Sequence, residues 1–116
     1  VYLRYIDKVR ASGITIPILP GIVPVQNFKQ TANFAVRTGA SVPQWLAERF
    51  AGLEDDIATR RLVAAAVCAE QVLDLIDRGV TDLHFYTMNK ADLVYAICHL
   101  IGLRSASPSP ALAAAE

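Results

Sequence analysis

The stretch Ile16–Gln30, IPILPGIVPVQNFKQ, decides how the rest of the chain is interpreted. It starts with β-branched and other apolar residues, passes through a corner rich in proline and glycine, and ends in a polar segment that can begin a helix. Proline fixes the backbone angle φ, and glycine permits turns that other residues resist. We therefore predict a buried strand over 15–19, a rigid loop over 20–24, and a helix that begins at a capping residue, Asn27.

Helical periodicity accounts for most of the remaining chain. Asn27, with Gln30 three residues later, forms a pair like a capping box, and Asn89 is predicted to cap the last helix. The longest predicted helix runs from about Ile57 to Arg78. Its apolar stripe has the width expected of a helix that lies on a sheet. The predicted stripe comprises Leu62, Ala66, Ala69, Leu73 and Ile76, widened by Val63, Val67 and Val72.

A second strand is predicted in the segment 82–88, DLHFYTM. Strands that alternate with helices imply an α/β fold with parallel pairing and right-handed crossovers. Two parallel strands make a poor sheet, because parallel strands normally belong to larger sheets that are covered on both faces. We therefore expect the remaining strands to come from sequence outside this chain. The first residues resemble the second half of a helix, which also indicates a fragment.

Composition limits the classes of partner. The chain has 116 residues, of which 53% are hydrophobic, and its 11 basic and 11 acidic residues cancel. A neutral balance gives no electrostatic reason to expect nucleic acid or an anionic membrane as a partner. No apolar run is long enough to span a bilayer. Cys68 and Cys98 fall inside predicted helices, where core thiols in a reducing, cytoplasmic compartment are the favoured interpretation and a disulfide or metal pair is the alternative.

Polar side chains follow both predicted strands, at the carboxyl ends where ligands gather in α/β sheets. Donors and acceptors around aromatic surface suit a planar heterocycle that bears an anionic tail. The alternative is a row of helix caps and solvated loop residues, because capping alone explains several of these side chains. The residues are Asn27, Lys29, Gln30 and Phe34 after the first strand, and Thr87, Asn89 and Lys90 after the second.

Four segments stand out by their order and spacing: IPILPGIVPVQNFKQ (16–30), PQWLAERF (43–50), TRRLV (59–63) and LHFYTMNKADLVYAI (83–97). Together they resemble the C-terminal part of the methylenetetrahydrofolate reductase family. The resemblance covers about residues 1–103 and implies the last two β/α units of a (β/α)8 TIM barrel. Residues 104–116, rich in proline, serine and alanine, are predicted to be a disordered tail.

The resemblance implies reduction of 5,10-methylenetetrahydrofolate to 5-methyltetrahydrofolate, a step of one-carbon metabolism that feeds methionine biosynthesis. In this family a bound FAD takes hydride from NADH or NADPH and passes it to the folate. Carried over by position, Gln30 hydrogen-bonds the folate and Phe34 stacks on folate or nicotinamide. Lys90 makes a polar contact with the substrate at a position where the family pattern has arginine. Lysine keeps the charge of arginine but lacks its planar fork.

The family's general acid and most of its flavin contacts lie in regions outside this chain, so no catalytic residue and no metal site are assigned here. The expected partners are the folate substrate, the N-terminal part of the barrel and further copies in a homo-oligomer. We expect the isolated chain to be inactive. An alternative from a different class is a non-enzymatic α/β interaction module that docks a partner through exposed apolar helix faces.

Overall fold

A computed structural model describes residues 1–104, so the predicted tail lies outside the described residues except for Arg104. Helices and strands alternate, which confirms the α/β class, although two-residue strands are too short to show barrel units by themselves. The second strand is shorter than the predicted segment 82–88. The elements are α1 (Tyr2–Ala11), β1 (Gly21–Ile22), α2 (Phe28–Thr38), α3 (Gln44–Phe50), α4 (Ile57–Asp77), β2 (His84–Phe85) and α5 (Ala91–Leu100).

The two strands pair in parallel, as the alternation of elements predicts. Gly21 lies opposite His84, and Ile22 lies opposite Phe85. Beyond the last pair, the backbone N–H of Tyr86 donates to the carbonyl oxygen of Ile22 at 2.9 Å. Because the strands run in the same direction, the chain leaves both of them at the same edge of the sheet.

The position of the first strand differs from the prediction. A strand over 15–19 is wrong, because the paired residues are Gly21–Ile22, inside the segment predicted to be a loop. The earlier segment has other partners: Pro17 carries no N–H for a ladder, and the carbonyl of Ile16 accepts a hydrogen bond from the Arg10 guanidinium at 2.9 Å. A long side chain of α1 therefore satisfies a backbone group that a strand would otherwise pair.

The buried face of α4 also differs from the predicted stripe. Leu62 is 73% exposed, and Ala66, Leu73 and Ile76 are exposed as well. Of the predicted residues, Ala69, Val67 and Val72 are buried. A helix that is apolar on several sides offers more than one stripe, and periodicity alone does not choose among them. The face that is buried comprises Ala64, Ala65, Val67, Cys68, Ala69, Val72 and Leu75.

Two apolar clusters share α4. The larger one joins α4 to the sheet and to α5, and its most deeply buried members are Val72 and Ile97, with Ile22 contributed by β1. The smaller one joins α4 to α3 and to the start of α2, where the rings of Phe28 and Phe50 stack with centroids 6.0 Å apart. The long helix thus holds the strand pair and the helix that follows β1 in one arrangement.

The amino-terminal helix is attached through side chains that include Tyr2 and Arg10. No residue of α1 is buried, but the Tyr2 hydroxyl donates to the carbonyl of Ile18 at 2.7 Å, and Tyr2 packs against the larger cluster. Within residues 1–104, no helix combines the length and the apolar character that crossing a membrane would require.

Candidate functional site

The strand pair has one covered face and one open face. Ile22 and Phe85 point toward the helices and belong to the larger apolar cluster. Side chains alternate along a strand, so Gly21, His84 and Tyr86 lie on the opposite face. There the His84 and Tyr86 rings meet edge to face, with centroids 4.8 Å apart. Both side chains are exposed among the described residues, so this face can accept further protein or a ligand.

The helix after β1 begins as the sequence predicts. Asn27 has extended backbone angles, and its side-chain oxygen accepts a hydrogen bond from the backbone N–H of Gln30 at 3.1 Å. Gly39 ends the helix in a left-handed conformation, with φ of 70°. Asn27 is therefore a structural cap, which is the alternative that the sequence left open for this residue.

Gln30 and Phe34 lie one helical turn apart on α2 and share a face of that helix. Phe34 is 60% exposed, and Gln30 is also exposed. The cap uses only the backbone N–H of Gln30, and no hydrogen bond within residues 1–104 involves its side-chain amide. An amide group and an aromatic ring are thus presented together on the helix that follows β1.

Lys90 lies on the second loop of the same edge and immediately precedes α5. The prediction that Asn89 caps α5 is wrong, because Asn89 has a positive φ of 61° and the residue flanking the helix is Lys90. An N-cap needs an extended backbone, which a left-handed residue does not have. Lys90 is exposed, and no hydrogen bond of the described chain joins it to Gln30 or Phe34. Strand pairing alone brings the two loops to one edge.

A cavity of about 350 Å³ lies beside the start of α2, and sequence reasoning missed it. Gln30 and Phe34 do not line it, because they occupy the neighbouring face of the helix. Arg60 donates to the backbone carbonyl of Glu54 at 2.7 Å, and within the described chain its buried Nε has no acceptor. No spacing signal links α2 to the start of α4, so this cavity could be found only from the structure. Its polar lining comprises Asn27, Lys29, Asn33, Glu54 and Arg60.

These features define a class of protein. A parallel strand pair with helices on one face defines an α/β fold, a class in which ligands usually bind at the carboxyl edge of the sheet. The chain belongs to the methylenetetrahydrofolate reductase family, which matches residues 1–102.

Individual relatives agree with the family match. The chain is 48% identical over 103 residues to the 5,10-methylenetetrahydrofolate reductase of Escherichia coli (strain K12), which covers 89% of this chain and 35% of that protein. The enzyme of the same name from Salmonella typhimurium is 47% identical over the same length. Methylenetetrahydrofolate reductase 1 of Schizosaccharomyces pombe is 36% identical over 109 residues, 94% of this chain and 18% of that protein. The chain thus spans about a third of the length of its bacterial relatives.

Proposed function

We propose that this chain is the C-terminal portion, 1–103, of a methylenetetrahydrofolate reductase and supplies part of its folate site. In the complete protein it contributes the last two β/α units of a (β/α)8 barrel. That protein reduces 5,10-methylenetetrahydrofolate to 5-methyltetrahydrofolate with NADH or NADPH. The observation that carries the proposal is the exposed pair Gln30 and Phe34 on α2, the helix that follows β1 within a chain of this family.

Each proposed contact follows from the chemistry of its side chain. The Gln30 amide offers both a donor and an acceptor, so it can bind the heterocyclic edge of a folate. The exposed Phe34 ring offers a flat surface on which either folate or nicotinamide can stack. The Lys90 ammonium carries a positive charge suited to an anionic tail, and it binds as a point charge because lysine lacks the planar fork of arginine.

We assign FAD to the part of the protein that this chain does not cover, because the family resemblance implies that most flavin contacts lie there. The cavities beside α2 and between α1 and the segment before β2 measure about 350 and about 320 Å³, and neither is lined by Gln30, Phe34 or Lys90. When bound, FAD supplies the hydride-transfer chemistry, and the residues of this chain bind and orient the folate.

The open face of the sheet supports the need for further barrel strands. His84 and Tyr86 are exposed there, and a two-stranded parallel sheet is not a stable unit. In this proposal the N-terminal part of the barrel covers this face, the isolated chain is inactive, and the complete protein is a cytoplasmic homo-oligomer. An interaction module would instead fold and bind its partner as residues 1–104 alone.

The test uses the complete reading frame that contains this chain. The purified protein is expected to contain a yellow flavin and to oxidise NADH or NADPH in the presence of a methylenetetrahydrofolate acceptor. Residues 1–104 expressed alone are expected to show neither property. A full-length protein that cannot be loaded with FAD and does not turn over folate would overturn the proposal.

A further inference from the structure

The loop between β2 and α5 contains an unusual turn. Met88 and Asn89 both have positive φ angles, 50° and 61°, and they are the only non-glycine residues with positive φ in the described part of the chain. The backbone N–H of Lys90 donates to the carbonyl of Thr87 at 2.8 Å and closes the turn. Two successive left-handed residues inside such a hydrogen bond correspond to a type I′ turn, which favours asparagine and glycine.

Met88 does not suit this backbone. The left-handed region is unfavourable for residues other than glycine, asparagine and aspartate. Burial does not compensate for this strain within residues 1–104, because the Met88 side chain is 72% exposed. Backbone strain that is not offset by packing is concentrated at functional sites. The conformation of Met88 therefore needs an explanation outside the packing of the described chain.

The turn is fixed at both ends. On one side, the N–H of Tyr86 is bonded to Ile22 and so ties the end of β2 to β1. On the other side, Leu93 and Ile97 anchor α5 in the larger apolar cluster. With both ends held, the shape of the turn sets where the backbone of Lys90 lies on the carboxyl edge.

We infer that the left-handed turn Thr87–Lys90 is a positioning element that holds Lys90 toward the anionic end of the bound folate, with Met88 as a positioning residue that acts through its backbone. This inference rests on the proposed function, because it takes the folate contact of Lys90 from there. It assigns to Met88 a role for its backbone conformation and none for its side chain.

The experiment compares substitutions at Met88 in the intact protein. Met88→Val disfavours the left-handed conformation, since a β-branched residue fits it poorly, whereas Met88→Asn and Met88→Gly are compatible with it. We expect the folate KM to rise about tenfold in Met88→Val, the effect of losing one charge-assisted contact. The asparagine and glycine variants should keep the folate KM and melt at or above the wild-type temperature. The NAD(P)H KM should stay unchanged in all three.

A Lys90→Ala background tests whether the effect of Met88→Val passes through Lys90. In Lys90→Ala protein, Met88→Val should add no further increase in folate KM, because the contact that the turn positions is already absent. An additional increase of similar size in that background would overturn the inference. So would an equal increase in Met88→Asn and Met88→Gly, since that result would show a direct contact by the methionine side chain.

Two safeguards keep the outcomes distinct. If Met88→Val is not recovered folded, Asn89→Ala tests the same turn at its second left-handed position, and an unchanged folate KM there overturns the inference. A wild-type protein that turns over no folate overturns the proposed function and this inference together. If the wild-type protein is active but substitutions in the turn leave its folate KM unchanged, this inference alone is overturned.

Discussion

The ring of Tyr86 occupies the space where Gly21 would carry a side chain. A Cβ atom placed on Gly21 would lie 2.6 Å from Cε2 of Tyr86, closer than two carbon atoms can pack. The ring leans from β2 across the open face of the sheet and also touches His84. Glycine therefore leaves room at this strand position for the Tyr86 ring, and a larger residue would have to displace that ring.

Gly21→Ala should destabilise the intact protein, because the added methyl group forces the Tyr86 ring away from its place. Because the Tyr86 side chain is 47% exposed and its ring can turn aside, the loss of unfolding free energy should be smaller than the about 1–3 kcal/mol that overpacking a closed core costs, and denaturant titration measures it. The matched control is Gly21→Ala in a Tyr86→Ala background, where the methyl group has room. An equal loss of stability in both backgrounds would show that Tyr86 is not the cause.

The ion pair between Arg61 of α4 and Asp92 of α5 should make the stability of the protein depend on pH. The hydrogen bond from Arg61 lowers the pKa of the Asp92 carboxyl below its usual value. A lowered pKa in the folded state stabilises the protein above the unfolded pKa, and this contribution is lost as the pH falls through the folded pKa. Arg61→Gln should therefore reduce stability near neutral pH and have no effect in strong acid.

Carboxyl titration by NMR measures this directly. The pKa of Asp92 should rise toward its ordinary value in Arg61→Gln and stay low in Arg78→Gln, which breaks a different pair, with Asp74, at the end of α4. Identical titration of Asp92 in wild-type protein and Arg61→Gln would contradict the assignment of the shift to Arg61.

The two cysteines should differ in reactivity. Burial raises the pKa of the Cys68 thiol from 9.0 to about 11, with a smaller contribution from the nearby Cys98. Because the thiolate is the reactive form, Cys68 should resist thiol reagents in the folded protein, and half-buried Cys98 should react first. A raised folded pKa also means that stability falls as the pH rises from about 9 to about 11. Labelling followed by peptide mapping checks the order, and faster labelling of Cys68 would contradict it.

Lys90→Ala in the intact protein should raise the folate KM more than the NAD(P)H KM, since the charge is assigned to the anionic tail of the folate. We expect an increase of about tenfold for folate, the effect of one lost charge-assisted contact. Lys90→Arg is the matched control, because it keeps the charge and restores the planar fork of the family pattern. Equal changes in both KM values would indicate that Lys90 is structural or contacts both ligands.

The helices and the parallel pairing could be predicted from the sequence because they depend on local signals. Asn27 caps α2 through a bond to a residue three positions away, and Gly39 ends that helix in a conformation that glycine favours. These interactions are contained in short segments, so residue type and spacing are enough to find them.

The first strand, the buried face of α4 and the turn before α5 could not be predicted, because residue preference and periodicity do not specify any of them. Arg10 of α1 donates a hydrogen bond to the carbonyl of Ile16, and that segment is not paired in the sheet. Packing against β1 and α5 selects the face of α4 that contains Val72 and leaves Leu62 exposed. The positive φ of Met88 contradicts its own residue preference. Gln30, Phe34 and Lys90 were among the candidates at the ends of the predicted strands, resemblance to the family supplied their roles, and those roles remain predictions.

The most direct test of the central claim, that this edge of the sheet binds folate and nicotinamide, is ligand binding to a Phe34→Ala variant of the intact protein. Val36→Ala is the matched control, because Val36 lies on the same helix and is 80% exposed. Dissociation constants for 5-methyltetrahydrofolate and for NAD(P)H are measured for both variants. The account predicts that both constants rise about fivefold in Phe34→Ala through loss of stacking and stay unchanged in Val36→Ala. Unchanged constants for both ligands in Phe34→Ala would contradict it.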